Sequence, residues 1–425
     1  MAITINRHAQ SYCDCFIFSV TLWLFSTTLL ASDWPEFRGP TRNGISTDVN
    51  VPIEWSATDN VVWKQAIPGE GWSSPTLVDD KIYLTSATGS IDDKDLSLRT
   101  LCVDANNGQI IWNVEVVAPS YEVAALKHGK NGLASPTPLV VDGRVIVHFG
   151  HMGTAALDLD GHIIWLQTDV KYDPRHGNAG SPALIDNLLV YSCDGLDTQY
   201  VVALDLATGD IRWKTPRHTE ASKKFSFSTP QTIEVDDVRQ VVSPGSGFVA
   251  AYAPADGREL WRVDYGEGFS VVPRPVYAHS RLYVATGFLR SKLLAIDPQG
   301  ANGDATKTNI VWQHQRGVPN TSSVLVVGDE VYFVSDKGVA SCLDAHTGEV
   351  HWTERLGGNY SSSPIYAEDH IYFTSEEGDT HVIRANTEYE LLITNKLEER
   401  IFASALPDEG AIYLRSESHL WRIGQ

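Results

Sequence analysis

His148-Phe149-Gly150-His151 sets two imidazoles three residues apart, a spacing that can hold a transition metal when a third ligand arrives. One imidazole falls at a strand end and no Cys-x-x-Cys or acidic partner stands nearby, so the spacing reads first as structural. Asp194-Gly195-Leu196-Asp197 offers two carboxylates to a hard cation, but the same residues make a turn whose carboxylates accept backbone N–H groups. The run from Asp297 to Asp304 is oxygen-rich without the spacing of an EF-hand, and reads as a loop insertion. Lys224 and Arg274, each flanked by aromatic residues, could clamp an anion or form salt bridges between neighbouring elements. No serine has a nucleophile-elbow context and no phosphate-cradling loop occurs, so no catalytic residue is assigned. The chemistry on offer is binding. Its candidates are His176, Asn178, Asp194, Asp197, Lys224, Phe225, Arg274, Asn359 and Tyr360.

These residues lie between copies of a repeat. The stretch ALDLATGDIRW at 203–213 returns as CVDANNGQIIW, ALDLDGHIIW, AYAPADGRELW and CLDAHTGEVHW, and in stretched form as AIDPQGANGDATKTNIVW. Each copy has two apolar runs around Asn-Gly, Asp-Gly or Thr-Gly, which is hairpin chemistry. The closing tryptophans, Trp63, Trp112, Trp165, Trp213, Trp261, Trp312 and Trp352, are 40 to 53 residues apart, the period of propeller blades. A second landmark keeps step: Ser, Thr or a substitute, then Pro or a substitute, then an apolar strand. It begins at Ser74, Thr137, Ser181, Thr229, Arg274, Ser322, Ser363 and Ser404, eight times in all.

The expected architecture is all-β, an eight-bladed propeller of four-stranded antiparallel blades. The tryptophans dock each blade on its neighbour, except at the seventh outer strand, where Leu stands in for Trp near 391–393. The eighth repeat ends without an outer strand, and the strand around Trp63 is spare. Pairing of N-terminal and C-terminal strands would therefore close the ring and remove its exposed edge. Strand alternation sorts the connections into two rims. Short hairpin turns occupy one and should be only structural. Long connections occupy the other and carry every binding candidate, with His176, Asp194, Lys224 and Arg274 expected around one depression suited to a small polar or anionic ligand.

The ends of the chain add a destination. Residues 1–15 are polar with Arg7, 16–30 are apolar, and Ala31-Ser32 offers small residues for cleavage, so 1–31 reads as a signal peptide. Residues 32–60 form an N-terminal extension and 61–425 the propeller. The expected location is exported, periplasmic or secreted, with no stable membrane insertion after cleavage. No Cys follows the apolar run to take a lipid. With Cys13 and Cys15 removed, Cys102, Cys193 and Cys342 remain, an odd set expected to be buried thiols. A net charge of −20 disfavours nucleic acid and anionic membrane as partners.

The AxDxxTGxxxW frame resembles the tryptophan-docking motif of pyrroloquinoline-quinone (PQQ) type propeller repeats. Stretches such as DWPEFRGPTRNG at 33–44 and HFGHMGTAALDLDG at 148–161 are similar to an exported PQQ-like group abundant in planctomycete bacteria. Fold relatives on this resemblance are the quinoprotein alcohol dehydrogenases and the propeller lipoprotein of outer-membrane barrel assembly. The former carry adjacent cysteines, roofing inserts and a calcium-bound quinone. Here no two cysteines adjoin and the blades leave little room for inserts. The reading is therefore a non-catalytic exported scaffold with no cofactor, binding an unknown small polar ligand or protein on the loop rim. The alternative is a PQQ-dependent dehydrogenase with calcium.

Overall fold

The computed structural model describes Met1, Ala2 and residues 33–424 apart from 91, 93 and 121–128, so the expected signal segment from residue 3 on lies outside the described residues. Eight antiparallel blades follow in chain order: residues 76–117, 139–167, 183–216, 231–264, 276–314, 325–355, 365–396 and 406–424. Each inner strand is short and its second and third strands are nearly all buried, because both faces of a blade pack on neighbours. In blade 8 the fourth, outermost strand is Val61–Ala66, antiparallel to His419–Gly424 with Lys64 opposite Trp421. The first strand of the propeller thus closes the ring, as the spare strand in the sequence implied.

The repeat motif has a concrete cause. The Trp213 indole N–H donates to the Pro254 carbonyl of blade 4 (2.8 Å), and its ring lies where a Cβ on Gly257 would approach it to 2.4 Å. That turn glycine is left-handed (φ 72°) as well, so it meets both a backbone and a space requirement. The same donation to the next blade recurs from Trp63, Trp112, Trp165, Trp312 and Trp352, at 3.0 to 3.1 Å. Trp63 and Trp112 are only half-buried, whereas the other five are buried. Trp261 departs from the pattern and bonds Gln240 of its own blade (2.8 Å). Its neighbour's turn is the stretched loop near 297–309, whose Gly303–Asp304 pairs in parallel with Trp261 and Arg262 as a fifth strand of blade 4. That oxygen-rich loop is edge cover.

At blade 7 the docking position falls on Ile393, opposite Val382 as Trp352 is opposite Cys342, and not on a leucine. Blade 8 has no turn between its last two strands to receive a tryptophan. Trp55 of the extension lies there instead, parallel to Tyr372 with ring centroids 6.4 Å apart. Cys102, Cys193 and Cys342 are free and buried, and burial pushes their thiols up, those of Cys102 and Cys342 to about 12.

The Ser/Thr landmark is a belt around the axis. The backbone N–H of each landmark residue donates to the hydroxyl of the next: Ser74 to Thr137, Thr137 to Ser181 and Ser181 to Thr229. The belt resumes from Arg274 to Ser323, Ser323 to Ser363, Ser363 to Ser404 and Ser404 to Ser74, all at 2.8 to 3.1 Å. In blade 6 the belt residue is Ser323, one past the expected start. In blade 5 it is Arg274, which has no hydroxyl to offer.

Residues 33–46 of the extension plug the channel inside the belt. Trp34 bridges Leu77 of blade 1, and the Pro35 carbonyl accepts from Val140 of blade 2. Arg42 reaches Leu184 and Thr232 of blades 3 and 4, and Asn43 donates to Tyr277 of blade 5. Arg38 donates to the carbonyls of Val324 (2.8 Å) and Pro364 (3.3 Å), just before the inner strands of blades 6 and 7. Burial, with Arg274 nearby, brings the Arg38 pKa down to about 9.

Candidate functional site

The loop rim carries the residues singled out from sequence, and the structure distributes them among several settings. Arg274 is fully buried and turns to the axis, donating to the Phe37 carbonyl (2.7 Å) and the Glu36 carboxylate (3.1 Å) of the plug. Asp194 is held by Arg217 at 3.0 Å, and both side chains are buried. Arg217 donates in addition to the hydroxyl and carbonyl of Ser243. These two candidates are closed in ion pairs of their own, so neither is presented to a ligand and Arg274 forms no clamp with the exposed Lys224. Asp197 is exposed and accepts the Asp173 backbone N–H (2.8 Å), the turn role open to it from sequence.

Asn178 is buried. It accepts from the Tyr172 hydroxyl (2.6 Å) and donates to the Phe149 carbonyl (3.2 Å). It edges a crevice of about 10 Å³, room for a water at most. His148 lines the same crevice. It is bonded to Thr154 (2.8 Å) and kept neutral by burial, which lowers its pKa to about 3. Asn359 donates to Glu377 and accepts from Lys337, while the buried Tyr360 hydroxyl meets His381 Nδ1 at 3.1 Å. Each of these links neighbouring segments of the rim.

The Asp194–Arg217 pair has a pH signature. Burial pushes the Asp194 carboxyl up to about 6 against the pull of Arg217, whereas for Arg217 the burial cost is outweighed by Asp194 and nearby groups and its pKa rises. The carboxyl is the member that titrates in an accessible range. Between about pH 4 and 6 the folded protein holds a proton at Asp194 that the unfolded chain has released, so this group's contribution to stability is full below about pH 4 and lost as pH rises through 6. Urea unfolding at pH 4, 5, 6 and 7 should show that Asp194→Asn removes this falling component. Parallel pH profiles for the two proteins would contradict it.

His176 and Phe225 do come together, and they open onto a feature that the sequence reading missed. The His176 ring meets Phe225 edge-on at 5.5 Å, Phe225 meets Phe269 at 5.5 Å, and Phe269 meets Phe288 at 5.5 Å. Phe227 joins at 6.0 Å. This aromatic band crosses the loop rim from the approach to blade 3 to blade 5. Phe225 and Phe269 are buried, whereas Phe288 and Leu289 are 53% and 46% exposed. Phe269 and Phe288 exchange two backbone hydrogen bonds (2.8 and 3.3 Å), and Leu289 and Arg290 turn the chain with φ of 74° and 58°. An exposed apolar pair on a loop fixed this way is pre-organised contact surface. Its signal in the sequence was Gly287-Phe288-Leu289, apolar residues in a connection rather than a strand.

On the axis, the belt and Phe37 of the plug enclose a mouth of about 110 Å³, lined by hydroxyls with Trp72, Phe402 and Lys130 at its edge. Trp72 and Phe402 are 4.5 Å apart between ring centroids. The volume is well below the roughly 300–1,000 Å³ of small-molecule pockets.

A family model described as outer membrane protein assembly factor BamB matches residues 95–243, 245–303 and 301–389. The outer membrane protein assembly factor BamB of Burkholderia pseudomallei (strain K96243) is 26% identical over 302 residues, covering 68% of this chain and 67% of that protein. Among solved structures, BamB from Moraxella catarrhalis superposes with a TM-score of 0.60 at 13% identity, over 85% of this chain and 97% of the other. A europium-containing methanol dehydrogenase superposes at 0.65 with 10% identity, over 91% and 90%. These two likenesses are of fold.

Proposed function

Since the chain belongs to the family described as outer membrane protein assembly factor BamB, we propose that it is an exported, non-catalytic scaffold that docks a protein partner of the cell envelope on its loop rim. The observation that carries this reading is the aromatic band ending in exposed Phe288 and Leu289 on a backbone-paired loop. Exposed large apolar side chains elsewhere mostly lie along the outer strands, as at Ile111, Ile164, Ile211 and Val311. Leu196, 51% exposed on the loop rim of blade 3, extends the same apolar character. Among the described residues no helix is long and apolar enough to cross a membrane.

A calcium-bound quinone does not suit the residues of the axial mouth. No described carboxylate lines it, while calcium takes oxygen ligands that normally include carboxylates, and the plug occupies the space beneath. No catalytic step is assigned to such a group. The docking reading is tested by placing a photo-crosslinking amino acid at Leu289 in the native host. The expected adduct is a component of the outer-membrane assembly machinery, absent when the crosslinker stands at Val238 on the turn rim. No adduct, or the same adduct from both positions, overturns the reading.

A further inference from the structure

Where blades 5 and 6 meet on the turn rim, two histidines and an aspartate converge. His279 comes from the inner hairpin turn of blade 5, Asp329 from the inner turn of blade 6 and His346 from the outer turn of blade 6. Their ligand atoms lie within 4.8 Å of one another. His346 Nε2 is 3.1 Å and His279 Nε2 is 3.9 Å from Asp329 Oδ1, with the two rings 4.9 Å apart. Every other inner turn, at 79–80, 142–143, 186–187, 236–237, 328–329, 368–369 and 409–410, carries an Asp or Glu, and only 279–280 is His-Ser. The turn itself therefore does not require an imidazole.

Hydrogen bonding prepares His279 for a cation. The Tyr283 hydroxyl lies 3.1 Å from the Ala345 carbonyl and 3.3 Å from His279 Nδ1, so when it donates to the carbonyl its oxygen accepts from Nδ1–H. In that tautomer the Nε2 lone pair faces Asp329 and His346, the arrangement that a cation between them requires. His346 is pinned on both sides of its backbone: its N–H donates to Asp344 (2.9 Å) and its carbonyl accepts from Arg281 (3.0 Å).

We propose that His279, Asp329 and His346 bind a divalent transition cation of the zinc class, joining blades 5 and 6 with water in the remaining position. Bonds of 2.0–2.2 Å in a tetrahedron put ligand atoms about 3.3 Å apart, between the two spacings to Asp329 Oδ1. Two imidazoles with a single carboxylate select zinc or copper over calcium or magnesium. Exposure of all three groups and the nearby Arg281 cation make the site weaker than a closed structural one.

Zn²⁺ is titrated calorimetrically into the full chain, prepared without a histidine tag and stripped with chelator. The expected result is one Zn²⁺ per chain, a higher melting temperature with Zn²⁺, and at least a tenfold loss of affinity in both His279→Asn and His346→Asn. Asparagine suits the left-handed backbone at 279 (φ 52°), and melting without metal checks that each variant folds. Asp329→Asn provides a third variant at an exposed position. Absence of Zn²⁺ binding, or equal binding by wild type and both histidine variants, overturns the proposal.

Discussion

Replacing Trp213 with alanine is expected to cost about 3 to 5 kcal/mol of unfolding free energy, the range for removing a large aromatic residue from a packed interface. The side chain is 9% exposed, bonds Pro254 across the boundary between blades 3 and 4, and covers the face of the Gly257 turn. Alanine would remove an aromatic surface of about 150–250 Å² from that boundary and leave the Pro254 carbonyl without its indole partner. Denaturant unfolding followed by circular dichroism measures the loss. Trp213→Phe, which keeps a ring and loses the N–H, should fall between alanine and wild type. A loss below about 1 kcal/mol for alanine would mean that this Trp–Gly contact does not hold the blades together.

Deleting the chain from His419 onward should have a larger effect, because it removes the strand between Ala411–Arg415 and Val61–Ala66. Both neighbours would then present unpaired N–H and C=O groups, an open edge in a ring whose other blades remain paired. The deletion also takes away Trp421, 1% exposed, and its contact with Lys64. The expected product is aggregated or lacks a cooperative melt, as size-exclusion chromatography and thermal circular dichroism would show. A monomer that melts like the full chain would contradict closure by these strands.

The repeat made most of this architecture readable. Trp and Gly recur because one blade's indole lies on the next blade's turn, and Ser or Thr before Pro recurs because its hydroxyl accepts from the preceding blade. A contact remade in every blade leaves a periodic trace. Contacts made once do not. Arg274 resembled an anion clamp because its partner, Glu36, is 238 residues away in a segment outside the repeat. Asp194 resembled an exposed loop acid, although Arg217 lies in the next connection. The plug was legible only as an extension, since nothing in a repeat specifies where a non-repeating segment packs. Phe288 and Leu289 stand beside the stronger signal of Arg290 and Lys292, and His279, Asp329 and His346 meet only across a blade boundary, from short turns 17 to 67 residues apart in sequence.

Docking of an envelope protein on the loop rim through the aromatic band is the proposed function. The most direct measurement is co-isolation of the protein with the outer-membrane assembly machinery from its native host, comparing Phe288→Asp with Val238→Asp. Both side chains are 53% exposed, one on the loop rim and one on the turn rim; Phe288 also packs edge-on against Phe269, a contact worth about 0.5–1.5 kcal/mol, so the thermal melt of each variant is measured alongside to show that it folds. Phe288→Asp is expected to abolish co-isolation while Val238→Asp leaves it at the wild-type level. Undiminished co-isolation of Phe288→Asp, or equal loss in both variants, would contradict it.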